Sequence, residues 1–135
     1  MHRPQIYVNL PVEDLDRSVR FFTALGFAFD PRFTNENATA MIIGEDSFVM
    51  LLVRPFFQTF TAKPLGAPVH VGTIIALSQP DRASVDAIVA KAHAAGGTVP
   101  TAPVDHGFMY QHAFEDPDGQ LWEVMHMDMA AFSAA

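Results

Sequence analysis

Residues 5–10 (Gln5-Ile6-Tyr7-Val8-Asn9-Leu10) alternate in polarity and are rich in β-branched and aromatic types. This pattern predicts a strand that stops at Pro11. The period then changes. Leu15, Val19, Phe22 and Leu25 recur at helical spacing, with Asp14 or Asp16 placed to cap the first turn and Gly26 placed to end the last. A short strand is expected at residues 27–30 and a polar turn at Asn35-Glu36-Asn37. Two apolar runs, 38–43 and 47–53, are joined by Gly44-Glu45-Asp46 as a hairpin. Residues 55–70 break this regularity with Pro55, Pro64 and Pro68, yet Phe56, Phe57, Phe60 and Leu65 keep them apolar. They read as a connector that packs on something.

The second half replays the first. A strand is expected over 71–77. A helix capped by Asp81 follows, with an apolar stripe of Val85, Ile88, Val89, Ala92 and Ala95, ended by Gly96-Gly97. Thr98-Val99 predicts a short strand halted by Pro100, then a loop containing Pro103. Residues 108–114 and 120–125 form a final strand pair around Asp116-Pro117-Asp118-Gly119. Asp16-Arg17-Ser18-Val19 is echoed by Asp81-Arg82-Ala83-Ser84-Val85. A strand–helix–three-strand unit used twice thus accounts for the chain: one domain over 1–135, with module 1 at about 4–54, a connector at about 55–70 and module 2 at about 71–128. The fold class expected is α+β, tandem βαβββ modules. One helix covers only one face of a four-stranded sheet. The other faces must meet, dimerise or curl into a cup, and a cup suits a small molecule.

Composition narrows the function classes. Half of the 135 residues are apolar and 17% are charged, which suits a packed globule. Eight Lys+Arg against fifteen Asp+Glu give a net charge of −7, which argues against nucleic acid and against an anionic membrane surface. There is no Cys, which removes disulfides, thiolate chemistry and sulfur-ligated zinc, and suits a reducing cytoplasm. No apolar stretch reaches the length of a signal-peptide core or a bilayer span. Twelve Phe and seven Met serve either as core or as a deformable apolar lining.

Two motifs carry a resemblance. Val8-Asn9-Leu10-Pro11-Val12-Glu13-Asp14-Leu15, with Ser18, Phe21-Phe22 and Leu25-Gly26-Phe27, is similar to the first strand and helix of the vicinal-oxygen-chelate superfamily (glyoxalase, bleomycin-resistance protein, extradiol dioxygenase). Phe114-Glu115-Asp116-Pro117-Asp118-Gly119-Gln120-Leu121-Trp122-Glu123-Val124 looks like that family's last hairpin and strand. The chain resembles the predicted lactoylglutathione lyase subgroup in particular. The resemblance implies a curved, cup-like mixed sheet with helices outside, and a homodimer.

Metal-dependent members place four ligands in the cup. The resemblance assigns those positions to Tyr7, Met50 or Leu51, Ile74, and Glu123. Only Glu123 is a ligand of the usual kind, so no cofactor is expected and a divalent metal is disfavoured. The six His show no chelate spacing, and alternation puts His126 on the face opposite Glu123. In an apolar cup Glu123 would be a candidate general acid/base with a raised pKa. The alternative is an acid merely hydrogen-bonded by Tyr7 or Asn9. Tyr7, Asn9, Met50, Leu51, Ile74, Gln111, Leu121 and Met125 are the candidate ligand-binding residues. Trp122 should point the other way, into core. The Asp116–Gly119 run is assigned to turn geometry. Two functions follow as expectations: metal-free binding of a small organic molecule, or a glyoxalase-like lyase or isomerase using Glu123.

Overall fold

The two alternating halves of the sequence form two four-stranded mixed sheets of the same strand order in the computed structural model, which describes residues 2–67 and 69–130. Pro68 therefore lies outside the described residues. The fold is α+β, two βαβββ repeats, and the chain divides into compact units 1–66 and 67–135.

The first unit runs β1 (Ile6–Val12), α1 (Leu15–Ala24), β2 (Ala28–Asp30), β3 (Ala38–Ile42), β4 (Ser47–Val53) and α2 (Arg54–Gln58). Its sheet has the order β1-β4-β3-β2, with β1 parallel to β4 and the other pairs antiparallel. The first strand does not stop at Pro11 but continues to Val12. Proline lacks a ladder N–H, which an edge strand such as β1 tolerates. Asp14, not Asp16, is the cap of α1: its side chain accepts from Arg17 N at 3.1 Å. Gly26 at φ 104° then ends the helix where a Cβ would be strained. Ser18, Phe21 and Phe22 are the buried face of α1, and Leu10, Val12, Met41, Val49 and Leu51 are buried with them. The connector is not structureless. Pro55 sits in the first turn of α2, where no N–H is needed, and α2 contacts β1 and β4.

The second unit runs β5 (Ile74–Ser78), α3 (Arg82–Ala94), β6 (Val104–Asp105), β7 (Met109–Glu115) and β8 (Leu121–Met127), with sheet order β5-β8-β7-β6. Asp81 caps α3 by accepting from Ser84 N at 2.7 Å, and Gly96 at φ 100° ends it. Val85, Ile88, Val89 and Ala92 are the buried face of α3, which contacts β7 and β8. Phe114 and Trp122 are directly paired across those strands, fully buried, with rings stacked 6.3 Å apart. Each side chain of this size contributes roughly 1.5–3 kcal/mol by burial. The expected strand at Thr98-Val99 is a correction. Thr98 makes only an isolated bridge to Glu115, and the regular strand comes later, at Val104–Asp105. Pro100 and Pro103 withhold donors from the ladder, whereas Asp105 is held by Arg82 at the start of α3 (2.6 and 3.0 Å). Among the described residues no helix is long and apolar enough to cross a membrane.

Candidate functional site

Register sorts the candidate residues onto faces. In the second sheet Ile74 pairs with Leu121, Ala76 with Glu123 and Ser78 with Met125, while on the other side of β8 Glu115 pairs with Leu121, Ala113 with Glu123 and Gln111 with Met125. Paired residues of adjacent strands share a face. Ile74, Gln111, Leu121, Glu123 and Met125 therefore share one face, and Trp122, Val124 and His126 occupy the other. Trp122 is core as expected, and the His126 ring meets the Gln79 carbonyl at 3.0 Å.

The face with Glu123 borders a cavity of about 300 Å³. Leu121, Glu123, Ala113 and Gln111 come to it from the sheet, Val71 from the segment before β5, and Pro100, Thr101, Ala102 and Val104 from the segment before β7. Glu115 and His112 also line it. Its walls are largely apolar, and it holds two carboxylates with no Lys or Arg. Glu115 is committed, accepting from Thr98 Oγ1 at 2.9 Å. Glu123 is half-buried, and no described residue donates to its carboxylate. A carboxylate so placed can accept from a ligand's donor, pair with its cation, or take up a proton.

The first-unit candidates separate. Tyr7 pairs with Phe48 and Asn9 with Met50, so Tyr7, Asn9 and Met50 share a face, with the Tyr7 and Phe48 rings stacked at 4.9 Å. Leu51 belongs to the opposite face and is fully buried, so it is a core residue and not a lining one. Strand period two forces that choice between adjacent positions. The Tyr7 hydroxyl donates to Gln5 Oε1 (3.0 Å), and the Asn9 amide donates to the Tyr7 carbonyl (3.3 Å). Both donors are thus used within β1 and the residue preceding it.

A metal centre fits these positions poorly. Leu51 and Ile74 carry no lone pair and Met50 offers only a soft thioether. Among the described residues no three His, Asp, Glu or Cys side chains come together as a chelate. Sequence reasoning found the sheet floor of the cavity but missed Thr101, Ala102 and Val104. Their signal was the Pro100 to Pro103 spacing, which marks an irregular edge.

Residues 5–124 match the family model described as Glyoxalase/Bleomycin resistance protein/Dioxygenase superfamily. Among solved structures, the chain is similar to the hypothetical protein SA1046 from S. aureus (27% identity, covering 93% of this chain and 95% of that one, TM-score 0.79). It is also similar to a glyoxalase/bleomycin resistance protein/dioxygenase family enzyme from Burkholderia phytofirmans PsJN (18%, 93% and 99%, TM-score 0.78). TioX from Micromonospora sp. ML1 is a third such structure (22%, 93% and 99%, TM-score 0.69). The likenesses to the last two speak for the fold alone. A comparison with curated proteins finds no significant match.

Proposed function

The chain belongs to the Glyoxalase/Bleomycin resistance protein/Dioxygenase superfamily, and from that premise we propose that it binds and sequesters a small organic molecule, without a metal, in the cavity bordered by Glu123. One observation carries the reading: an apolar hollow of about 300 Å³ whose wall holds a carboxylate that no described residue engages. That volume is at the small end of ligand sites, which suits a compact ring with one polar substituent. The absence of Lys and Arg from the lining favours a neutral or cationic ligand over an anion. A homodimer, which the family resemblance implies, and a reducing cytoplasm, which a chain free of Cys suits, are part of the same proposal.

Benzylamine and benzyl alcohol test this reading as a pair. Both rings suit the walls; the amine can form an ion pair with Glu123, whereas the alcohol can only donate a hydrogen bond to it. Isothermal titration should show both binding, with Glu123→Gln weakening benzylamine about tenfold and benzyl alcohol much less, because the alcohol loses a hydrogen bond to a charge and not an ion pair. If neither compound binds, or the substitution affects neither, the reading fails.

The same uncommitted carboxylate favours a second reading, a glyoxalase-like lyase or isomerase in which Glu123 takes and returns a substrate proton. Any turnover of a small organic substrate that survives Glu123→Gln would remove it.

A further inference from the structure

We propose that the cavity recognises its ligand through a carboxamide, lactam or ureido group that hydrogen-bonds the unpaired backbone edge of β7 at Ala113. The argument starts from ladder geometry. In an antiparallel strand the N–H and C=O of one residue point to the same side, and successive residues alternate sides. Glu115 exchanges both hydrogen bonds with Thr98 (3.1 and 2.8 Å), and the Met109 carbonyl accepts from His106 N at 2.8 Å. The odd-numbered residues of β7 therefore face its outer edge, and Ala113 lies between these two points.

No strand meets Ala113 there. Thr98 is opposite Glu115 and Val104 is opposite Gln111, so residues 99–103 have only residues 112–114 to face. The longer segment must bow away from β7, and its prolines at 100 and 103 have no N–H to offer. No described residue hydrogen-bonds the Ala113 N–H or C=O across this gap. The bow is held in place by His112, whose Nε2 lies 3.1 Å from the Thr101 carbonyl. Because a carbonyl only accepts, Nε2 is the donor.

Pro100, Thr101, Ala102 and Ala113 all border the cavity, so the gap opens into it. Ala113 is only 9% exposed. A backbone donor and acceptor at that depth gain most from a partner that satisfies both at once. A primary carboxamide or lactam carries its N–H and C=O side by side on one edge, as a partnering strand residue would. An ester supplies only the acceptor, and a carboxylate would in addition face Glu115 and Glu123.

The inference rests on the cavity being the binding site, and one experiment separates the two. Benzamide, N,N-dimethylbenzamide and methyl benzoate are titrated into the isotope-labelled chain and followed by backbone amide NMR. Benzamide should shift the Ala113 amide saturably, and the two compounds lacking the donor should bind about tenfold more weakly. Equal affinities, or shifts at Leu121 and Glu123 that spare Ala113, would overturn the amide-edge proposal while leaving the cavity as the site. Silence at all of these positions with every compound would sink both. Ala113→Pro removes the outward N–H but keeps the carbonyl, at a point where no strand pairs with the outer edge of β7, so it should weaken all three compounds and leave the preference for benzamide in place. The comparison of the three compounds stands even if that variant fails to fold.

Discussion

Three donors converge on one buried carboxylate at the β7–β8 turn. Asp116 Oδ1 accepts from Asp118 N (2.9 Å) and Gln120 N (3.1 Å), and Oδ2 accepts from Trp122 Nε1 (3.1 Å). Burial nevertheless prevails and pushes the Asp116 carboxyl up to about 6 from 3.8. The native state therefore holds this proton over a range in which the unfolded chain has lost it. Stability contributed by the group is greatest below the unfolded value and falls as pH rises through the folded one. Asn in its place keeps Oδ1 but turns an NH2 toward the Trp122 N–H. Asp116→Asn should thus cost about 1–3 kcal/mol near pH 4. The deficit should narrow toward neutral pH, where the wild type carries the buried charge. Urea unfolding of both proteins across that range checks this, and a deficit independent of pH would contradict it. The sequence reading of Asp116 as a turn residue captured the geometry only. Its bond to Trp122 depends on a side chain six positions away, which spacing alone does not reveal.

The helices and strands were legible wherever local chemistry alone decides. Asp14 and Asp81 each satisfy an N-terminal amide, and Gly26 and Gly96 each occupy positive φ. Asp14→Ala and Asp81→Ala should each lower stability by about 1 kcal/mol, and Gly96→Ala by roughly 1–3 kcal/mol, by thermal or urea unfolding. Asp16→Ala should have little effect, because Asp16 lies within the first turn and not at the cap. Legibility ended where a distant partner sets the local structure. β6 forms at Val104–Asp105 because Arg82 grips Asp105 and stacks on Tyr110 at 5.1 Å, a pairing 23 residues apart. The Arg82 guanidinium holds the Asp105 carboxyl down at about 2. Pro11 was misleading for a related reason: whether a proline ends a strand depends on whether that strand lies at an edge.

For the whole molecule, repetition was the strongest message of the sequence. Two units with matching strand order follow from two matching patterns of capping Asp, apolar stripe, terminal Gly and hairpin. The candidate site was half legible. Alternation placed Leu121, Glu123 and Met125 on one face of the last strand, but joining Ile74 and Gln111 to that face, and choosing between Met50 and Leu51, needed the register. The bowed segment that completes the cavity leaves no periodic trace. The reading as a metal-free binder rests on donor chemistry: one free carboxylate in an apolar hollow, and no lone pair at Leu51 or Ile74, two of the positions that the resemblance assigns to metal ligands.

Backbone amide NMR of chelator-treated protein titrated with benzyl alcohol tests that claim most directly, because it asks for ligand and location together. Saturable shifts centred on Gln111, Ala113, Leu121 and Glu123, unchanged by added zinc or nickel, are the result expected. Shifts that appear only after a metal is restored, or that fall away from those residues, would contradict it.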